Sequence, residues 1–512
     1  MSPWGSSRPG LNALLGAVVT LNLLPVAGLL GYSLTGPDVL LSPLGREGWQ
    51  QLGNTALLLV LVGTGVALLG TAIGWLTAGC HFRGCRMLGA VQLLPLATPA
   101  YLQAAVLTDL GSRHGLRLHG VSWAAAVLIL TTLPYGVLLS RDSFRQSGRR
   151  LLESSRSLGQ GPWASFRRVA LPMALPAVAG GVALAGMEVV NEFGAVELLG
   201  VPTLSTGLLQ RWQGEGDPRG AVSMALLTLA VVTLLVVAER WQRRRSRRWD
   251  VGGPGDHQPA WHLQGPRAWL ACTVCSLPPL LGVGLPLGWL ISSWDRWQGE
   301  NLAELLALGG RSLALGLLAA LLATAMALLL AVGRRWSLPA TLRSLAKLAG
   351  LGYAVPGGVL ALAMLLLLGP LGLPPLLLLL YGYGDRFLAV SLGGLDATLE
   401  RLPPSLEEAA TSLGQSWPTV LRRVHLPLLI SPLGLGAVLV FVDTVKELPL
   451  TFALRPFDFD TLAVRVYQYA SDERLGAALA PALLIMVLGL AAALLQILRP
   501  GERAGVVPQD GA

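Results

Sequence analysis

Glu153-Ser-Ser-Arg-Ser-Leu-Gly-Gln160 and Glu408-Ala-Ala-Thr-Ser-Leu-Gly-Gln415 stand 255 residues apart. Each is followed, at the same distance, by Arg-Arg-Val-x-Leu-Pro, at 167–172 and at 422–427. Over the 20 positions 153–172, ten residues recur at that offset without a gap. Glu, Gly, Arg-Arg and Leu-Pro all fall in phase, so the chain carries an internal repeat. The repeated segment is short, polar and amphipathic, and strongly apolar runs lie on both sides of it.

Those runs set the fold class. The chain has 512 residues, 53% hydrophobic and only 13% charged, with mean hydropathy +0.59. A soluble chain averages about 25% charged residues, so this one has too little polar surface to fold in water. A membrane-spanning helix needs about 20 apolar residues. Runs of that kind fall near 11–32, 53–79, 87–108, 121–140, 173–192 and 221–238, and again near 268–291, 309–332, 345–369, 374–392, 428–447 and 476–498. Pro374, Pro375 and Gly384 interrupt the run at 374–392. The first run follows Arg8 like a signal peptide, but the many spans after it make it an uncleaved first helix. The expectation is an all-α polytopic membrane protein with about 12 transmembrane helices.

Arg and Lys orient it. With the N-terminus inside, the inner segments hold 27 basic residues and the outer ones 10, and Arg311 at the mouth of a span completes the 38. This positive-inside bias places both termini in the cytoplasm. It also accounts for the net charge of +9 without a nucleic-acid partner. The repeat then divides the chain into a first six-span unit (1–238, with the repeated loop at 141–172), a basic linker (239–267), a second six-span unit (268–498, with its loop at 396–427) and a tail (499–512). Six is even, so both units enter the membrane from the same side and form a parallel repeat about an axis along the membrane normal.

Some functions are excluded. The longest strongly polar stretch, 239–267, is 29 residues, below the roughly 50 of the smallest ordinary domain. The sequence has no G-x-x-x-x-G-K-[ST] loop to cradle phosphate, and no Ser/His/Asp or Cys/His set. The chain is therefore read as no enzyme, with no cofactor and no firm metal site. Cys272-x-x-Cys275 is read as small core filler, with no second cysteine pair beside it in sequence. The six His (81, 114, 119, 257, 262 and 425) share no ligand spacing.

In the repeated loop, Glu153 and Glu408 favour a helix start. Gly159 and Gly414 allow the sharp turn that ends it. Leu171-Pro172 and Leu426-Pro427 put proline in the first turn of the next span. The pattern Glu408-Ala409-Ala410-x-x-x-Gly414, followed by Leu426-Pro427, resembles the cytoplasmic loop of binding-protein-dependent ABC transporter permeases. The first copy keeps Glu153 and Gly159 but has Ser154 and Ser155 for the two Ala. Both halves in one chain are similar to the fused permeases of ferric-iron importers, as are the segments Asn191–Thr203 and Lys446–Arg465; thiamine permeases share the architecture.

The resemblance implies the MetI-like permease fold in a bacterial inner membrane. It implies that each loop couples to one of two ATP-hydrolysing subunits through Glu153, Gly159, Glu408, Ala409, Ala410 and Gly414. It also implies a periplasmic or extracellular binding protein that delivers substrate, ferric iron first and thiamine as the alternative. An ion-coupled secondary transporter with parallel repeats is the rival of another class, and a structural scaffold a third.

Four carboxylates are candidates for the pathway. At the 255-residue offset, Glu188 falls on Asp443 and Glu192 on Glu447. The i, i+4 spacing predicts that each pair shares one helix face, in the outer part of the membrane. Together they are expected to ring the outer mouth, where a hard cation prefers oxygen ligands. Lys446 stands close enough to quench part of that field. No aromatic run lies on the spans flanking the seam.

Overall fold

A computed structural model describes residues 9–34, 45–146, 154–155, 157–246, 261–296, 301–336, 345–346, 352–403 and 405–498. Glu153, most of the linker and the tail 499–512 lie outside the described residues.

Helix α1 (Pro9–Leu34) is followed by α2 (Gly45–Gly79), the seven-residue α3 (Cys85–Val91), α4 (Ala100–Arg113) and α5 (Val121–Gln146). Then come α6 (Leu171–Asn191), the short α7 (Gly194–Leu198) and α8 (Leu204–Leu209), and the long α9 (Pro218–Ser246). The second half runs α10 (Pro266–Pro279), α11 (Leu285–Ser292), α12 (Leu302–Trp336), α13 (Gly357–Leu368) and α14 (Pro375–Arg401). It ends with α15 (Ser405–Ser412), α16 (Leu426–Lys446), the short α17 (Pro449–Leu454) and α18 (Leu462–Ser471), and α19 (Leu475–Leu498). The only strands among the described residues are β1 (Cys80–His81) and β2 (Trp261–His262), paired in parallel.

Among the described residues ten helices are long and apolar enough to cross a membrane, or eleven if a bent pair counts as one span. Ten of the twelve expected runs are such helices, 87–108 is a bent pair, and residues 347–351 of the run at 345–369 lie outside the described residues. The run at 87–108 is broken: Cys85–Ala97 and Ala100–Arg113 meet at 87°. Proline causes the break. Pro99 has no N–H to give, and it holds Thr98 extended at φ −100°, ψ 117°. The run at 345–369 appears as α13 alone, which starts directly after Pro356. The prolines at 374–375 have the opposite effect to the one expected. Pro375 sits in the first turn of α14, where a missing N–H is harmless, and the helix continues past Gly384. A Cβ at Gly384 would meet Leu322 and Met326, so this glycine serves close packing on α12.

The spans at 173–192 and 428–447 begin earlier than expected, at Trp163 and Pro418. Each passes through a π-helical turn, Phe166–Ala170 and Leu421–His425, just before Pro172 and Pro427. A proline removes one i→i−4 bond from the ladder, and a wider turn accommodates the loss.

Packing repeats in the two halves. In the first, α2, α5 and α6 pack on one another; in the second, α12, α14 and α16 do the same. The first helix of each half crosses to the other. α1 packs on α12 and α13, with Leu15, Val18 and Val19 buried against Ala327, Leu330 and Leu388. α10 and α11 pack on α2, α3 and α4. There Trp289 Nε1 donates to Asp109 Oδ2 at 2.6 Å, and Arg296 binds both oxygens of the same buried carboxylate. The last helices also reach across: α9 packs on α13, and α19 on α4 and the turn Leu94–Ala97. The seam between the halves is therefore lined by helix breaks, and the short helices α7 and α17 lie beside it.

Candidate functional site at the seam

The long helix α6 stops at Asn191 and α16 at Lys446. The next residue in each is a glutamate with extended backbone: Glu192 at φ −68°, ψ 127° and Glu447 at φ −66°, ψ 123°. Glu192 N still bonds Glu188 O at 2.9 Å and Glu447 N bonds Thr444 O at 3.2 Å, so each glutamate keeps its place one turn beyond Glu188 or Asp443, and the chain leaves the helix only after it. The reason is local. Each glutamate turns its side chain onto the start of the next short helix, where unpaired N–H groups favour a carboxylate. Glu192 Oε1 accepts from Ala195 N at 2.9 Å, and Glu447 Oε1 from Leu450 N at 3.2 Å. A hydroxyl caps each glutamate's own carbonyl: Ser205 at 2.5 Å and Thr451 at 2.8 Å.

The outer flank of each turn is matched too. Thr203 and Thr461 cap α8 and α18. The first amide of each helix is held by a hydroxyl of a long helix: Leu204 N by Thr55 at 3.1 Å, Leu462 N by Ser312 at 2.8 Å.

The residue before each glutamate crosses the seam. Asn191 Oδ1 accepts from Gly357 N at 2.8 Å and from Arg386 Nη1 at 3.1 Å. Lys446 Nζ donates to the Leu96 carbonyl at 3.4 Å. The first contact ends on α13 and α14 of the second half, the other on the turn Leu94–Ala97 of the first half's broken span. A Cβ at Gly357 would fall 2.6 Å from Glu447 Oε1, so glycine is needed there for close approach.

The four candidate carboxylates gather at this place. Glu188 lies within electrostatic range of Asp443, Glu447, Lys446 and Arg386. Lys446 pairs with Asp443 at 2.9 Å, and Arg386 lies 3.6 Å from Glu447. Glu188 and Glu192 form no ion pair among the described residues. The two cations form their ion pairs with the acids of the second half, while Glu188 has both within electrostatic range without a direct pair.

Beyond this cluster in chain order, three rings from the two halves meet. Phe193 packs on Phe452 (6.1 Å between centroids) and on Tyr467 (5.4 Å), which also face each other at 5.7 Å. Sequence reading missed this trio because the rings sit on the short segments after the spans, not on the spans themselves. Tyr467 also lines a cavity of about 1020 Å³ with Asp109, Glu197, Asp295, Arg296, Glu473 and Arg474 among its walls. None of the four candidate carboxylates lines it; the acidic groups at the open cavity are others. Asp109, at the polar end of an apolar run, was the one legible sign of them.

At the repeated loops the two copies turn alike. Gly159 has φ 77° and Gly414 φ 67°. Leu158 N binds Ser154 O and Leu413 N binds Ala409 O, both at 3.1 Å; Gln160 N binds Ser155 O at 3.1 Å and Gln415 N binds Ala410 O at 3.0 Å. Glu408 and Ala409 are exposed and Ala410 is half-buried. Ser155 is buried and hydrogen-bonded to Ser165 at 2.8 Å, so it faces its own chain. The tips are leucines that sequence reading passed over: Leu158 is 80% exposed and Leu413 76%. Their recurrence at the 255-residue offset was the available signal.

Comparison with known proteins bears on what this geometry serves. The family model for the binding-protein-dependent transport system inner membrane component matches residues 70–251. The Fe(3+)-transport system permease protein FbpB 2 of Haemophilus influenzae is 27% identical over 451 residues, covering 86% of this chain and 87% of that protein. Residues 70–251 thus match binding-protein-dependent transport permeases, and the chain is similar to one along most of its length. The molybdenum transport system permease protein ModB of Escherichia coli K12 is 28% identical over 225 residues, 39% of the permease and 95% of ModB. The maltose/maltodextrin transport system permease protein MalG of Photorhabdus laumondii is 28% identical over 227 residues, 41% of the permease and 75% of MalG. The permease is an all-α, multi-pass inner-membrane protein of the ABC importer class.

Proposed function

We propose that the permease carries ferric iron along the seam between residues 1–238 and 268–498, acting as two parallel six-span units joined by the linker 239–267. A full-length relative is a permease named for Fe(3+) transport. The observation that carries the reading is the pair of glutamates, Glu188 and Glu192, which form no ion pair among the described residues, at a seam where Asp443 and Glu447 do. A small, highly charged cation prefers carboxylate oxygens, and ionisable groups inside a membrane mark a path. Phe193, Phe452 and Tyr467 act as the closed outer gate, and the cavity above them receives the cargo from a binding protein.

Energy enters at the other side. Both termini lie in the cytoplasm, and two ATP-hydrolysing subunits dock on the loops at 141–172 and 396–427. Glu153, Gly159, Glu408, Ala409, Ala410 and Gly414 shape these contacts, with Leu158 and Leu413 as apolar knobs. ATP-driven closure of the two subunits moves α6 and α16, which run directly from the loops to Glu192 and Glu447 and so reach the gate. The identical turn geometry of the two loops supports a shared role.

The experiment is uptake of radioactive iron into vesicles holding the permease with its ATPase and binding protein. Iron accumulation that requires ATP on the loop side supports the reading. Accumulation driven by an ion gradient without ATP, or transport of thiamine but not iron, overturns it.

A further inference from the structure

Cys80, Cys85, Cys272 and Cys275 are all the cysteines of the chain, and all four fall in one apolar cluster. Cysteines 272 and 275 looked isolated in sequence; the fold delivers a second pair to them from the opposite half.

The strands β1 and β2 pair Cys80 with Trp261 and His81 with His262, and Leu263 N adds a bond to His81 O at 2.9 Å. These contacts hold the segment leading into α10 against the end of α2. A tight turn follows, with Gly84 at φ 82°, and α3 begins at Cys85. Helix α10 packs on α3. As a result two thiols touch one short loop: Cys272 Sγ donates to Arg83 O at 3.4 Å, and Cys85 Sγ to Cys80 O at 3.4 Å.

The four are not equivalent. Cys80 and Cys275 are buried, while Cys85 and Cys272 are half-buried. Burial pushes the Cys80 thiol up to about 11, so it stays protonated and inert. Cys85 and Cys272 lie within electrostatic range of each other, and Arg141 and Arg145 stand near Cys85. The thiolate is the form that attacks a disulfide, and at Cys85 burial opposes it more strongly than the two arginines favour it. Among the described residues no group of three or more His, Cys, Asp or Glu is arranged to hold a metal ion, so redox chemistry fits this cluster and chelation does not.

We propose that Cys85 and Cys272 form a reversible dithiol–disulfide pair that tethers the first helix of the second half to the turn between α2 and α3. The oxidant is a small disulfide of the glutathione type. One thiolate attacks it, forms a mixed disulfide and expels one glutathione thiolate. The second cysteine thiolate attacks the protein sulfur of that mixed disulfide and expels the other. Two electrons pass to glutathione, and the two protons lost by the cysteines end on the two released thiols. The bond locks α10 onto α3 and resists any sliding between them. Disulfides in a reducing compartment are usually transient and sensing ones.

The test is made on the purified full-length permease. It is equilibrated with glutathione disulfide, denatured, alkylated and mapped by mass spectrometry. The expected result is loss of two of the four thiols, a single Cys85–Cys272 linked peptide within one chain, and full recovery with dithiothreitol. The variants C85S and C272S should each keep all three remaining thiols alkylatable under the same oxidant. The wild-type map needs no variant and so does not depend on their folding. Four alkylatable thiols after oxidation, a different pairing, a link between chains, or one tightly held zinc per chain that protects the thiols would each overturn the proposal.

Discussion

Glu192 and Glu447, 255 positions apart, each end a long helix and each fold a carboxylate back onto the amide three residues ahead, at 2.9 and 3.2 Å. Each backbone amide still closes the helix it follows, Glu192 N on Glu188 O at 2.9 Å and Glu447 N on Thr444 O at 3.2 Å. A side chain that caps the next helix fixes the angle between a span and the short segment after it, so the two glutamates set where α7 and α17 point.

Removing one cap should cost about 1 kcal/mol of stability, the usual value for losing such an acceptor. Glu192→Ala and Glu447→Ala are expected to lower the thermal midpoint of the purified permease, and Glu192→Gln and Glu447→Gln to lower it less, because the amide oxygen still accepts. Thermal unfolding of the four variants in one detergent checks this. Equal losses for Ala and Gln would place the contribution in the charge instead of the cap.

The uneven pairing of the acids predicts uneven variants. Glu188 forms no direct ion pair, so Glu188→Gln should keep stability and reduce iron uptake roughly tenfold, about 1.4 kcal/mol of lost stabilisation along the path. Asp443→Asn takes the ion-pair partner from half-buried Lys446, which keeps Glu188 nearby, so the loss should stay below the roughly 3–5 kcal/mol of a fully buried pair. Lys446→Met added to Asp443→Asn should recover most of that loss. Melting and uptake measured across this double-mutant cycle separate a pathway role from a structural one.

The aromatic closure makes a prediction of opposite sign. Phe193 fills the space between Phe452 and Tyr467, and large-to-small changes at packed aromatics leave cavities. Phe193→Ala should let vesicles take up small solutes without ATP, while wild type stays tight. The measurement is passive leak of a small cation in vesicles lacking nucleotide; an unchanged leak would mean that the seam closes elsewhere.

Fold class was legible because membrane burial is written in composition: an apolar run of 20 residues has few other uses. The repeated loops were legible because identity at a fixed offset survives without structure. The break at Thr98-Pro99 was readable in principle, since a proline inside a span announces it, but the hydropathy of 87–108 is continuous across it. The i, i+4 spacing of Glu188 and Glu192 was legible, but the end of the helix at the second of them was not, because periodicity cannot tell where a helix stops. The stop depends on Glu192 finding Ala195 N, a contact of the next element. The meeting of Cys85 with Cys272 was invisible for a different reason: it needs the first helix of one half to pack on the other, and no local pattern encodes that exchange.

The two repeated loops share a turn but are anchored by different forces. Beside the first, Trp75 packs on Phe144, Phe166 and Trp261 at 4.9–5.1 Å. Beside the second, Glu407 is buried and binds Arg335 Nε at 2.5 Å, with His425 Nε2 3.7 Å away. Arg335 also donates to the Leu402 carbonyl at 2.9 Å. The neighbouring Glu408 and Leu413 stay outside. The exposed leucines give the first arm of a test: Leu158→Asp and Leu413→Asp should each weaken copurification of the ATPase, by placing a charge where an apolar knob meets its groove. Glu407→Gln gives the second. It leaves the docking surface intact but loosens its attachment to α12, so the ATPase should still bind while ATP hydrolysis rises relative to iron taken up. The ratio of hydrolysis to uptake in vesicles distinguishes the two arms. If Glu407→Gln released the ATPase as Leu413→Asp does, its carboxylate would belong to the contact and not to the lever beneath it.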